Sequence, residues 1–181
     1  NQYLNTQFNI DSEKKENTEK LIQILSNNKN KEEVEECYFV DRYLLENEYY
    51  DILNAIKNIK PSDVLISSGR LSEILRDDVI AALQTIVNKN KMYFIYDKGE
   101  KDISKLKGTV MNYMHKKQNR IQWIEQDNIT QTNILLYPQC LINIKYNPIP
   151  VGNDYLIQEI AEITFDQERI QNKKDELLAL K

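Results

Sequence analysis

Few residues in this sequence belong to the types that do covalent or acid–base chemistry, so each can be weighed where it stands. There is one histidine, His115, and there are two cysteines, Cys37 and Cys140. A lone histidine cannot build a histidine-based metal cluster. The cysteines are about a hundred positions apart and have neither zinc-ligand spacing nor partners for a disulfide framework, so no metal and no cofactor is implied. His115 lies in MHKKQNR, where Lys117 happens to complete a His-x-Lys pattern. Seven positions after His115 comes Gln122 rather than an acid, and the segment reads as the polar end of a helix, with cations facing the negative end of the dipole. Asp77 and Asp78 fall within a helical pattern, and Glu33, Glu35 and Glu36 form a charged run. No pair among them is set in an apolar pocket that would raise a carboxyl pKa for acid–base work.

The stretch Ser67, Ser68, Gly69, Arg70 carries more. It follows the apolar run Val64, Leu65, Ile66 and therefore stands at the carboxyl end of a buried strand, the edge where α/β sheets bind ligands. The chain uses 5 arginines against 19 lysines, and the planar fork of Arg70 suits a carboxylate or phosphate. The same four residues also make an ordinary strand-to-helix turn with capping hydroxyls. Among 11 tyrosines, Tyr38, Tyr43, Tyr49 and Tyr50 cluster in a way that suits core and interface better than base stacking.

The elements that must position these groups alternate. The first 35 residues are polar apart from Leu21, Ile22, Ile24 and Leu25, and read as a helical leader or linker. Residues 37–40 predict a short strand. Residues 44–59 predict a helix with Leu45, Tyr49, Ile52, Leu53 and Ile56 on one face, ended by Pro61. A buried strand at residues 64–66 leads to a helix over 73–89, with Ser72 as its N-cap, and then to a second strand over 92–96. From the candidate N-cap Asp102 a helix runs to about His115, followed by a strand over 120–125. Strands over 132–137 and 141–146 form a hairpin about Pro138 and Gln139. A loop over 147–154 precedes a strand over 157–165 and a helix over 166–179. The expectation is an α/β domain over 36–181, a mixed β-sheet flanked by helices, behind a helical leader over 1–35.

Composition sets limits on partners. With 181 residues there is room for one domain of ordinary size. The net charge of −4 does not support a broad basic surface for nucleic acid, although a local patch remains open. No apolar run reaches the length of a membrane span, and the expected setting is cytoplasmic and reducing. The chain begins at Asn1, which suggests a piece of a longer protein.

Two stretches carry a resemblance. DVLISSGRLSEILRDDVIAALQTIVNKNKMYFIY is similar to the opening unit of a phospholipase D-like domain, and EITFDQERIQNKKDELLALK to its closing unit, over roughly residues 38–181. The resemblance implies a hairpin bearing His-x-Lys, then four residues, then Asp, with Gly-Ser-x-Asn on the second strand. One histidine attacks phosphorus while a second, from another such motif, protonates the leaving oxygen. In the matching hairpin, QTNILLYPQCLINIKYN, Gln131 stands for the His and Asn133 for the Lys. Pro138 or Gln139 stands for the Asp, and Ile144, Lys145, Tyr146 and Asn147 for Gly-Ser-x-Asn, so that only Asn147 is kept. A glutamine cannot be the covalent nucleophile, and Asn133 brings no charge for phosphate. The catalytic set is therefore empty, and Ser67, Ser68, Arg70, Asn133 and Asn147 are the candidate ligand-binding residues.

The expected function is a non-catalytic module for protein interaction, dimerisation or ligand sensing within a larger intracellular protein. The resemblance implies a homodimer paired through the hairpin region; other domains of a parent protein are the alternative partners. The competing expectation is a divergent phosphodiesterase or nuclease.

Overall fold

The computed structural model describes residues 36–41, 61–86 and 90–179, and seven strands among them form one sheet. In chain order the elements are β1 (Glu36–Asp41), β2 (Asp63–Ser68), α1 (Leu71–Ile74), α2 (Asp77–Ile86), β3 (Lys91–Asp97) and α3 (Ile103–Tyr113). A 3₁₀ helix (His115–Arg120) follows, then β4 (Ile121–Gln126), β5 (Thr132–Tyr137), β6 (Cys140–Val151), β7 (Asp154–Thr164) and α4 (Gln167–Leu178). The strands lie in the order β1-β7-β6-β5-β2-β3-β4. β2, β3 and β4 are parallel, and every other pairing is antiparallel. The sheet is thus mixed, with helices on both faces. The expected leader and the expected helix over 44–59 lie outside the described residues.

Burial on two sides explains the strand sequences. β2 and β3 are apolar at successive positions because helices cover both of their faces. Val64, Ile66, Met92, Phe94, Ile134 and Ile142 face Leu71, Leu75, Val79, Ile80 and Leu83 of the first two helices and Leu106 and Val110 of α3. Leu65, Tyr93, Ile95, Leu135 and Leu141 face Ile170 and Leu177 of α4. α4 begins where Asp166 caps it, the carboxylate accepting from the Arg169 N–H at 2.8 Å.

Three local expectations are corrected. The helix expected over 73–89 is two helices: Leu75 leaves helical geometry, and α2 starts afresh at Asp77. Apolar periodicity cannot register that break, because Leu71, Leu75, Val79 and Leu83 pack into one cluster on both sides of it. Ser72 is no N-cap; it lies inside α1 and donates to Glu100 Oε1 at 2.6 Å. Asp102 holds the N-cap position of α3, but its side chain makes no capping hydrogen bond.

The loop expected over 147–154 is mostly strand. β6 runs on to Val151 and turns at Gly152 (φ 63°), and Pro148 pairs with Ile157 and Pro150 with Tyr155. Proline has no N–H to donate, so it is expected off the ladder. β5 pairs with β6 only as far as Ile144, however, so past that residue β6 has no β5 neighbour and the missing donors cost little.

Candidate functional site

Four of the five buried polar residues among those described gather at one place. Ser67 is 1% exposed, Ser68 and Thr132 are 0%, and Asn133 is 6%. All four lie where the carboxyl end of β2 meets the start of β5, with Ser67 opposite Asn133. Here the chain, having built β3 and β4 on one side of β2, returns to add β5 on the other. Such a reversal opens a crevice at the carboxyl ends of the strands, where α/β sheets place ligands.

On the face covered by α4 a polar row crosses four strands. The register aligns Ser67 of β2 with Asn133 of β5, Asn143 of β6 and Glu162 of β7. The Asn143 amide donates to Asn133 Oδ1 at 2.7 Å and to Gln131 Oε1 at 2.9 Å, while its own oxygen is buried and has no partner among the described residues. Glu162 holds the cations beside the row, Arg169 at 2.9 Å and Lys145 at 3.8 Å. The groups that meet here are the Ser67 hydroxyl, three neutral amides and one carboxylate already paired with two bases. They can donate and accept hydrogen bonds, and the three amides carry no charge for a phosphate.

The expected site residues divide between this row and its surroundings. Ser67 and Asn133 belong to the row. Ser68 faces the other side, where its hydroxyl meets Thr132 Oγ1 at 2.8 Å and accepts from the Arg70 N–H at 3.0 Å, which ties the turn together. Arg70 is ion-paired with Glu73 one turn along, so its fork already holds a carboxylate. Asn147 is opposite Gln158, four positions along β6 from Asn143, and the register does not bring it to Asn133. Asn143 takes that place. Sequence reasoning missed Asn143 because the resemblance singled out Asn147 on the second strand; the tight turn that pairs Leu136 with Cys140 sets 133 opposite 143. His115 precedes β4 at the amino-terminal edge of the parallel strands, the end of the sheet away from Ser67.

The loop that delivers Gln131 and Asn133 is pinned from β3. Asp97 accepts from the Gly99 N–H at 2.8 Å and the Ile129 N–H at 2.9 Å. These bonds, Gly99 first, hold its carboxyl below the ordinary value of 3.8. A lowered carboxylate pKa stabilises the fold above the unfolded value, and the contribution disappears as pH falls through the folded one. Thermal unfolding of wild type and Asp97→Asn is therefore expected to differ at neutral pH, with the gap closing as pH drops through the range below 3.8. A gap unchanged at low pH would show that the carboxylate does not hold the loop.

The mixed sheet, its order and its flanking helices define a phospholipase D-like fold. Solved structures similar to it include NucT from Helicobacter pylori, with a TM-score of 0.54 and 14% identity over 81% of this chain and 96% of that one. Nuc from Salmonella typhimurium, a phospholipase D family member, has a TM-score of 0.51 and 9% identity over 81% of this chain and 93% of that one. TrmBL2, an archaeal chromatin protein, matches 97% of this chain at 14% identity with a TM-score of 0.47, and the chain spans only 63% of its length. No protein-family model and no curated protein matches the sequence. Among the described residues, no helix is long and apolar enough to cross a membrane.

Proposed function

We propose that this chain is a non-catalytic phospholipase D-like module that binds a ligand or a partner as part of a larger intracellular protein. The observation that carries the reading is the amide cluster Gln131, Asn143, Asn133. A carboxamide nitrogen is delocalised into its carbonyl and does not attack phosphorus, and neither Gln131 nor Asn133 can carry the charge that steadies a phosphoryl oxygen. The three amides bond to one another and leave one buried oxygen over, which suits holding a polar group better than turning one over. Pairing of two copies through the hairpin, implied by the resemblance, belongs to the same proposal.

The test is a hydrolysis assay with bis(p-nitrophenyl) phosphate and with DNA, in chelator to silence contaminating metal enzymes. The expected rate equals that of buffer for wild type and for Asn133→Ala. Turnover by wild type that Asn133→Ala or Ser67→Ala abolishes would establish a divergent phosphodiesterase instead.

A further inference from the structure

The charge of this chain is unevenly placed. Between residues 98 and 120 stand seven cations (Lys98, Lys101, Lys105, Lys107, Lys116, Lys117 and Arg120) and two acids (Glu100 and Asp102), a net of +5. The whole chain has 24 basic and 28 acidic residues, so the remainder has 17 against 26, a net of −9. The segment is α3 with its two flanks, packed on the face of the sheet opposite the amide row.

Its cations differ in their company from those around α4. Around α4 the cations are neutralised: Arg169 and Lys145 by Glu162, Lys173 by Glu176 at 2.6 Å, and Lys174 by Asp63 at 2.8 Å. Among the described residues, Lys98, Lys101, Lys105 and Lys116 take part in no ion pair, and all four are exposed. A cavity of about 600 Å³ is lined by Lys105 and Arg76 together with Glu73, Asp77, Asp78 and Asp102, so the basic face gives way to mixed charge on that side.

Gly108 gives an independent sign of close approach. It lies in the middle of α3, exposed, with nothing within 4 Å of where a Cβ would be. Glycine inside a helix is unfavourable relative to alanine, and among the described residues nothing comes within 4 Å to require it there. A helix surface bare of a side chain between lysines lets another backbone come near.

We infer that the outer face of α3 is a docking surface for the phosphate backbone of duplex nucleic acid. The other exposed positions of the helix are Ser104 and Asn112, hydrogen-bonding residues of the kind that contact phosphate and sugar. A membrane surface would call for exposed apolar side chains to insert, and this face has none. A single strand would call for open aromatic rings; Trp123 and Tyr96 are instead packed with Phe94 and beneath Lys107. With about four phosphates engaged, by Lys101, Lys105, Lys116 and Arg120, binding is sequence-independent and falls about a hundredfold between roughly 50 and 200 mM salt.

The experiment is fluorescence anisotropy of a labelled duplex of arbitrary sequence against the full chain at those salt concentrations. The double substitution Lys105→Gln, Lys116→Gln is expected to cut the salt slope by about two, whereas Lys173→Gln on α4 leaves it unchanged. Gly108→Gln is expected to raise the unfolding midpoint by about 2–4 °C while weakening binding, a pairing that a purely structural glycine would not produce. Failure of wild type to bind duplex at the lower salt overturns the inference. So does binding that survives the double substitution, or binding to phosphatidylserine vesicles in place of duplex. None of these outcomes bears on the amide cluster, whose test is hydrolysis.

Discussion

Gly69→Ala is expected to destabilise the protein by about 2 kcal/mol, read as a lower urea midpoint. A Cβ at this position would come closer than 3.0 Å to the carbonyl oxygen of Ile129. That oxygen is main chain and cannot rotate aside, so either β2 or the β4–β5 loop must move. The loop is held by Asp97 through the Ile129 N–H and leads directly into Gln131 and Asn133. The displacement should therefore appear also as faster amide exchange at Ile129 and as altered side-chain amide resonances of Asn133 and Asn143. A variant as stable as wild type, with those resonances unmoved, would mean that the two segments cross less tightly at Gly69 and Ile129.

Phe94→Ala should be costlier still, at about 3–5 kcal/mol. Phe94 is 0% exposed at the centre of β3, and its ring centroid lies 4.8 Å from that of Trp123. Losing the ring opens a cavity in the layer between sheet and α3 and removes the packing of the partly buried indole. Trp123 is the only tryptophan, so its fluorescence isolates the effect. The emission maximum is expected to shift to longer wavelength as the indole gains solvent, together with a reduced unfolding midpoint. A blue-shifted or unchanged spectrum with full stability would place the indole's support elsewhere.

Much of the fold was legible because the apolar runs at 64–66, 92–96 and 134–136 have one physical meaning. They are too short for buried helices and too continuous for one-sided strands, and the sheet that contains them is covered on both faces. What escaped was whatever periodicity does not record. The break between α1 and α2 interrupts the backbone but not the apolar face. The prolines of β6 look like loop signals until the neighbouring strand is known to stop at Ile144.

The site was legible in its chemistry and less so in its geometry. That Gln131 and Asn133 are neutral amides, where the resemblance implies an ionisable pair, could be seen from residue types. Which residue faces Asn133 could not, because the resemblance singled out Asn147 as the retained residue, while the turn pairing Leu136 with Cys140 sets Asn143 there. Arg70 shows the same limit. Its fork was visible in the sequence, but Glu73, three positions on, binds it, and that depends on α1 forming just there.

The two prolines of β6 also bear on how this sheet behaves among other molecules. A strand edge with regular N–H groups is a template on which a foreign chain can extend the ladder. Past Ile144, where β6 runs beyond β5, Pro148 and Pro150 remove two of those donors from the strand. A stray strand arriving there would find the hydrogen-bond pattern interrupted at alternate residues. The long β6–β7 ribbon can thus project past its neighbour without seeding stacked sheets, a safeguard built from the same residues that disguised the segment as a loop.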